Sequence, residues 1–252
     1  MNIGFLGSGH ITSSIIDGIF KSKLKIKKIY ISPRNKLISK KLSKRFKKVI
    51  VSNNNQQVID SSSWVFLAVT PNVGNKILKN LRFNKSKKII SLISTIKINR
   101  LKKITKNKNI SRVIPLPFIG MGKGPIIICP NDNKLKNFFK YLGKVIELKS
   151  ENTSKSFWAT SSFMASFYNL LNETSSWLVS KGIKRNKAEN YTRELFLALS
   201  EDAMNKSKIS LKQLVLESQT PGGTNAYVLK ELKKKKFYKV QQKVLNSIFK
   251  KF

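Results

Sequence analysis

The segment Gly7-Ser8-Gly9-His10-Ile11-Thr12 stands where an apolar run, Asn2–Leu6, passes into a helical pattern marked by Ile11, Ile15, Ile16 and Ile19. Two glycines at such a strand-to-helix turn serve anion binding. The first permits the tight turn, the second lets backbone approach a pyrophosphate, and the helix start offers N–H groups and a positive dipole end. This is the dinucleotide fingerprint with Thr12 in place of its last glycine, and the larger Thr12 predicts a looser helix–strand contact. Gly7, Ser8, Gly9, His10 and Ile11 are therefore cofactor-contact candidates. His10, the one histidine, is read as a polar neighbour of the phosphates rather than a catalytic base, because the turn lies far from the reacting end of a dinucleotide. The end of the second apolar run sets the cofactor's type. NAD sites place an Asp or Glu about 20 residues on, to bond the ribose 2′-OH. Here the chain reads Ile31-Ser32-Pro33-Arg34-Asn35, with no carboxylate. Ser32, Arg34 and Asn35 offer donors, and Arg34 can fork onto a phosphate, so NADP is expected rather than NAD.

A second constellation is Thr220-Pro221-Gly222-Gly223-Thr224-Asn225, between two helical patterns. Its glycines expose N–H groups, Thr220 and Thr224 add hydroxyls, and a helix N-terminus follows, a set that can hold a carboxylate. An ordinary capped turn explains Pro221 and one hydroxyl but not the doubled glycine.

The elements around these segments change character near residue 150. Before it, short apolar runs alternate with helical stretches: Asn2–Leu6, Ile26–Ser32, Lys48–Ser52, Trp64–Val69, Lys88–Ile93, Ile110–Ile114, Pro125–Cys129 and Val145–Leu148. Strands spaced by helices predict a mostly parallel, doubly wound α/β sheet, and unbroken apolar runs fit strands buried on both faces. After residue 150 the pattern is helical throughout. The stretch Trp158–Leu178 carries two apolar stripes, a second helix runs from about Lys187 to Lys206, Ser210–Glu217 is short, and two basic amphipathic segments close the chain. Two domains are expected, residues 1–150 and 151–252.

Composition narrows the function classes. One cysteine and one histidine cannot supply the four ligands of a Cys/His zinc site, so no metal is expected. The net charge of +38 is spread along the chain with Asn and Ile rather than clustered, which argues against a specific nucleic-acid partner. The one run, Lys233–Lys236, reads as a solvated helix end or linker. The N-terminus lacks a basic leader and no run is long and apolar enough for a membrane span, so a cytoplasmic protein without membrane association is expected.

Four stretches resemble the pyrroline-5-carboxylate reductase family. They are Ile3-Gly4-Phe5-Leu6-Gly7-Ser8-Gly9, Val65-Phe66-Leu67-Ala68-Val69-Thr70-Pro71, Ser111-Arg112-Val113-Ile114-Pro115 and Gln219-Thr220-Pro221-Gly222-Gly223-Thr224-Asn225. The resemblance implies a Rossmann domain followed by a helical domain that interleaves with a second copy in a dimer. It implies NAD(P)H-dependent reduction of a cyclic imine acid, 1-pyrroline-5-carboxylate, to L-proline. It adds Ala68, Val69, Thr70 and Pro71 to the cofactor contacts and makes Thr220, Gly222, Gly223 and Thr224 the carboxylate grip. Thr224 and Asn225 become the catalytic candidates, Asn225 standing where the family has a threonine that bonds the ring nitrogen. The chain departs from the family at Thr70 (usually lysine), at Leu116-Pro117 (usually two polar residues), at Phe163 in a normally glycine-rich serine motif, and at Asn225. These departures leave open a paralogue acting on another imine or ketone, or a nucleotide-binding protein without turnover. A 3-hydroxyacid dehydrogenase, which shares the two-domain plan, needs a lysine one turn from an asparagine. Ser161–Glu173 has Asn169 and Asn172 but no lysine.

Overall fold

A computed structural model describes residues 1–251. Phe252, the last residue of the expected second domain, lies outside the described residues. The chain divides into two compact units, Met1–Trp158 and Ala159–Lys251.

The first unit is one eight-stranded sheet. Its strands are β1 (Asn2–Leu6), β2 (Lys28–Ile31), β3 (Val49–Val51), β4 (Trp64–Leu67), β5 (Lys88–Ser91), β6 (Ile110–Ile114), β7 (Pro125–Cys129) and β8 (Lys144–Glu147). Their order is β3-β2-β1-β4-β5-β6-β7-β8, and β6–β7 is the antiparallel pair in an otherwise parallel sheet. Every apolar run holds a strand, several trimmed at their ends and the last, expected at Val145–Leu148, displaced by one residue. Helices α1 (His10–Lys21), α2 (Lys36–Arg45), α3 (Asn55–Asp60), α4 (Pro71–Ile77), α5 (Ile98–Thr105) and α6 (Asn133–Phe139) make the crossovers.

Alternation along each strand divides the buried side chains between two cores. Ile3, Phe5 and Phe66 join Ile15, Ile16, Ile19 and Phe138 on one face. Leu6, Val65 and Leu67 join Val58, Ile59, Leu78 and Leu101 on the other. Helices on both faces explain why the central positions of most runs are apolar without alternation.

Asp132 fastens the far half of the sheet. Its carboxylate accepts from Leu135 N at 3.0 Å, capping α6, and pairs with Lys88 of β5. Burial opposes the charge, but the Lys88 hydrogen bond and the Leu135 amide outweigh it and hold the carboxyl below its ordinary value. A depressed carboxyl stabilises the fold fully above the ordinary Asp range near pH ~3.9, and that contribution fades as pH falls through the lowered value. Asp132→Ala is expected to cost about 1–2 kcal/mol at neutral pH and less in acid, as read by urea unfolding at both.

The second unit is helical. Its elements are α7 (Glu151–Ser161), which begins in the first unit, α8 (Met164–Ser180), α9 (Arg185–Asn205), α10 (Leu211–Glu217), α11 (Thr224–Lys234) and α12 (Phe237–Phe249). The expected continuous helix through Trp158–Leu178 breaks at Ser162-Phe163, where N–H groups reach back three residues to Ala159 and Thr160 instead of four. Lys236, in the left-handed region at φ 60°, ends the lysine run and separates α11 from α12. Helices α8 and α9 pack together, as do α11 and α12. The residues this unit buries are small: Ala159, Ser175, Ala188 and Thr192. Among the described residues no helix is long and apolar enough to cross a membrane.

Candidate functional site

The glycine turn is built by close backbone approach. Gly7 has φ +112°, and a Cβ there would lie 2.2 Å from the Ala68 carbonyl oxygen that follows β4. Only glycine fits. At Gly9 a Cβ would meet nothing within 4 Å, so the chain's own packing does not demand a glycine there. The open space lies before the N-terminus of α1, which no side chain caps. Ser13 N is bonded to Gly9 O at 3.1 Å, and the N–H groups of His10, Ile11 and Thr12 precede it in the first turn. An open approach to unpaired amides at a positive dipole end fits a pyrophosphate.

The Thr12 contact is not loose. Thr12 is fully buried, and its hydroxyl donates to the Gly7 carbonyl at 2.8 Å, closing the turn that a third glycine would otherwise close by packing. His10 is exposed at the start of α1, and Ile11 is half-buried. Ser8 is buried, and its hydroxyl accepts from Asn35 N at 3.3 Å, tying the turn to the start of α2. The Asn35 side chain caps α2 by accepting from Ile38 N.

A cavity of about 300 Å³ opens beside this turn. Of the residues expected at the cofactor, Gly7, Ser32, Arg34 and Val69 line it together. Ser32 has a structural task there: its hydroxyl accepts from Gly7 N at 3.0 Å and donates its one hydrogen to Asn55 Oδ1 at 2.8 Å. Arg34 is exposed and forms no ion pair with a carboxylate among the described residues. The rest of the lining lies outside the residues expected from sequence. It comprises Asn55, at the start of α3, and one face of α4: Asn72, Val73, Lys76 and Ile77. The tripled asparagine Asn53-Asn54-Asn55 after the third apolar run was the available signal for the first. Thr70 and Pro71 open α4, with Thr70 exposed and its side chain capping nothing.

After β6 the chain turns through Pro115-Leu116 into a 3₁₀ segment, Pro117–Met121, packed against α1. The Lys21 ammonium donates to Gly120 O at 3.1 Å. Arg112 of β6 is buried. Its guanidinium donates to the carbonyls of Ser94 and Ile96 and pairs with Glu151 at 3.1 Å. Both Glu151 oxygens also accept from Ile98 N, so one carboxylate caps α5 and holds the start of α7. Burial lowers the Arg112 pKa, and the Glu151 charge works against that shift.

In the second unit, Thr220–Asn225 forms a tight turn closed by Gly223 N donating to Thr220 O at 2.8 Å. Gly222 sits at φ +75°, and a Cβ on Gly223 would come within 3.0 Å of Thr220 O. The doubled glycine therefore serves the turn itself, and the Gly223 N–H is already engaged. The open donors are those of the α11 first turn, Thr224, Asn225 and Ala226, since Tyr227 N bonds Gly223 O. No side chain caps α11. Asn225 donates through Nδ2 to Ser218 O at 3.2 Å, which leaves its Oδ1 as an acceptor. Phe163 is half-buried at the α7–α8 break, and Tyr168 is exposed on α8.

Two family matches fall on the chain in order. Residues 2–95 match the family described as NADP oxidoreductase, coenzyme F420-dependent, and residues 151–252 match pyrroline-5-carboxylate reductase dimerisation. No curated protein matches. Among solved structures, 1-pyrroline-5-carboxylate reductase from Streptococcus pyogenes is 22% identical, with a TM-score of 0.86 over 100% of this chain and 97% of that one. The pyrroline carboxylate reductase of Plasmodium falciparum, solved with NADP bound, is 22% identical, with a TM-score of 0.84 over 100% and 96%. The enzyme from Coxiella burnetii is 21% identical, with a TM-score of 0.79 over 99% and 96%. At these identities the structures speak for the fold. The dimerisation match on its helical half and the oxidoreductase match on its Rossmann half fit a member of the pyrroline-5-carboxylate reductase family, an NAD(P)-dependent oxidoreductase.

Proposed function

We propose that this protein reduces 1-pyrroline-5-carboxylate to L-proline with NADPH, as a cytoplasmic homodimer. The observation that carries the reading is the loop Thr220–Asn225. It leaves the first-turn amides of α11 open beside two threonine hydroxyls, with an amide oxygen free next to them. A substrate with one carboxylate and one ring N–H matches that set.

NADPH, when bound, supplies the hydride. The residues that would hold it are Gly7, Gly9 and the α1 first turn for the pyrophosphate, and Arg34 for the 2′-phosphate. A protonated cyclic imine is already an electrophile, so the protein's task is position rather than acid strength. Thr224 and Asn225 N–H and the Thr220 hydroxyl take the carboxylate, while Asn225 Oδ1 accepts the ring N–H and sets the face of the C=N bond. The amine formed takes its last proton from water. Arg34→Ala is expected to remove about 1–3 kcal/mol of preference for NADPH over NADH, the scale of a charge-assisted hydrogen bond, as measured by titrating both cofactors.

A second reading, another imine or 2-keto acid as substrate, is favoured by Pro115-Leu116-Pro117, which lacks the polar pair the family resemblance expects. A panel of cyclic imines and 2-keto acids separates the two, with NADPH oxidation followed optically. The highest kcat/KM on 1-pyrroline-5-carboxylate supports the first reading. Preference for a keto acid, or no turnover of any member, overturns it.

A further inference from the structure

We propose that Lys76 of α4 is a second specificity residue for the phosphorylated cofactor, gripping the ribose 2′-phosphate together with Arg34. The proposal rests on the reading that the 300 Å³ cavity takes the 2′-phosphate end of NADP.

Three observations lead to it. First, Ser32 stands at the end of β2, where the 2′ substituent of a dinucleotide is read, yet its single hydrogen is committed to Asn55. It accepts from Gly7 N besides, so it has no hydrogen to give a phosphate. The donors must come from other walls of the cavity. Second, the lining holds two cations, Arg34 and Lys76, and no carboxylate. Neither cation has an ion-pair partner among the described residues. A phosphomonoester carries about −1.5 to −2 near neutral pH, more than one guanidinium offsets and close to what two cations offset. A free 2′-OH would instead want a carboxylate acceptor, and the lining has none. Third, Lys76 does not stand alone on its helix. Asn72, Val73, Lys76 and Ile77, at the i, i+1, i+4, i+5 spacing of one helix face, all line the cavity. The chain therefore turns this face of α4, with the apolar pair Val73 and Ile77 and the polar pair Asn72 and Lys76, to the cavity.

The two cations divide the work by shape. Arg34 offers a planar fork that meets two phosphate oxygens, and Lys76 a point charge on a flexible stem that reaches the third. This predicts that the site tolerates Lys76→Arg but not loss of the charge.

The test is equilibrium binding of four probes: NADPH, NADH, adenosine 2′,5′-bisphosphate and adenosine 5′-phosphate. They are titrated onto the full-length protein and its Arg34→Ala, Lys76→Ala and Lys76→Arg variants. Lys76→Ala is expected to weaken NADPH and adenosine 2′,5′-bisphosphate about tenfold, and NADH and adenosine 5′-phosphate less than twofold, with Lys76→Arg close to the parent. If Lys76→Ala weakens all four probes equally, or none, Lys76 does not read the phosphate. The NADP assignment then survives provided Arg34→Ala is still selective. If the parent protein itself binds NADPH and NADH equally, the NADP reading fails, and the role of Lys76 fails with it.

Discussion

Replacing Trp177 or Leu199 with aspartate is expected to convert a dimer into a poorly folded monomer. The helical unit buries no side chain larger than threonine: its buried residues are Ala159, Ser175, Ala188 and Thr192. Meanwhile Trp177 of α8 is 60% exposed, Leu199 of α9 58% and Tyr227 of α11 67%. A helical unit with its large apolar side chains outward offsets little of its chain entropy alone, so in the proposed homodimer a second copy is expected to cover them. Covering one such side chain contributes about 1.5–3 kcal/mol, counted twice in a two-fold dimer. A carboxylate in the same place adds several kcal/mol of desolvation against assembly. Sedimentation at micromolar concentration is expected to give a dimer for the parent, its interface above roughly 2,000 Å² as in obligate dimers, and a monomer with lowered Tm for either variant. A monomeric parent, or variants that dimerise as well as the parent, contradicts this.

The second large effect is expected at the α11 loop. Gly223→Val places a branched side chain where even a Cβ lies 3.0 Å from Thr220 O and 3.3 Å from Thr220 Cβ, so the turn must open. Displacing the α11 amides by an ångström is enough to lower kcat/KM about a hundredfold while NADPH binding stays within twofold, because the glycine turn at Gly7 is a separate structure. Asn225→Ala removes both the tie to Ser218 O and the acceptor for the ring N–H, and is expected to lower kcat rather than only raise KM. Asn225→Thr keeps an acceptor and should hold activity on 1-pyrroline-5-carboxylate. If both Asn225 variants turn over as the parent does, the loop does not orient the substrate.

The sheet was readable because its strands are buried on both faces: runs such as Trp64–Leu67 and Pro125–Cys129 are apolar at every position. The glycine turn was readable because a strand, two glycines and a helix follow one another within a few residues. What lay beyond reading were contacts between distant positions. The Ser32 hydroxyl is committed to partners 25 and 23 residues away, Gly7 and Asn55, so its apparent availability to a phosphate vanished only once the strands were paired. Lys76 belongs to a seven-residue helix too short to display a period, and it looked like one more solvated lysine. Thr12, expected to loosen the turn by its size, tightens it by its hydroxyl. The doubled glycine at Gly222-Gly223 was legible as special, but its reason is the turn's own geometry as much as bare amides.

The central claim, hydride reduction of the imine bond of 1-pyrroline-5-carboxylate, is tested most directly by isotope transfer. The protein is given NADPH deuterated on the transferring face of nicotinamide C4 together with 1-pyrroline-5-carboxylate, and the product is analysed by mass spectrometry. The expected product is L-proline carrying one deuterium, on the ring carbon that was the imine carbon. Absence of labelled proline while the same protein still binds NADPH would contradict it.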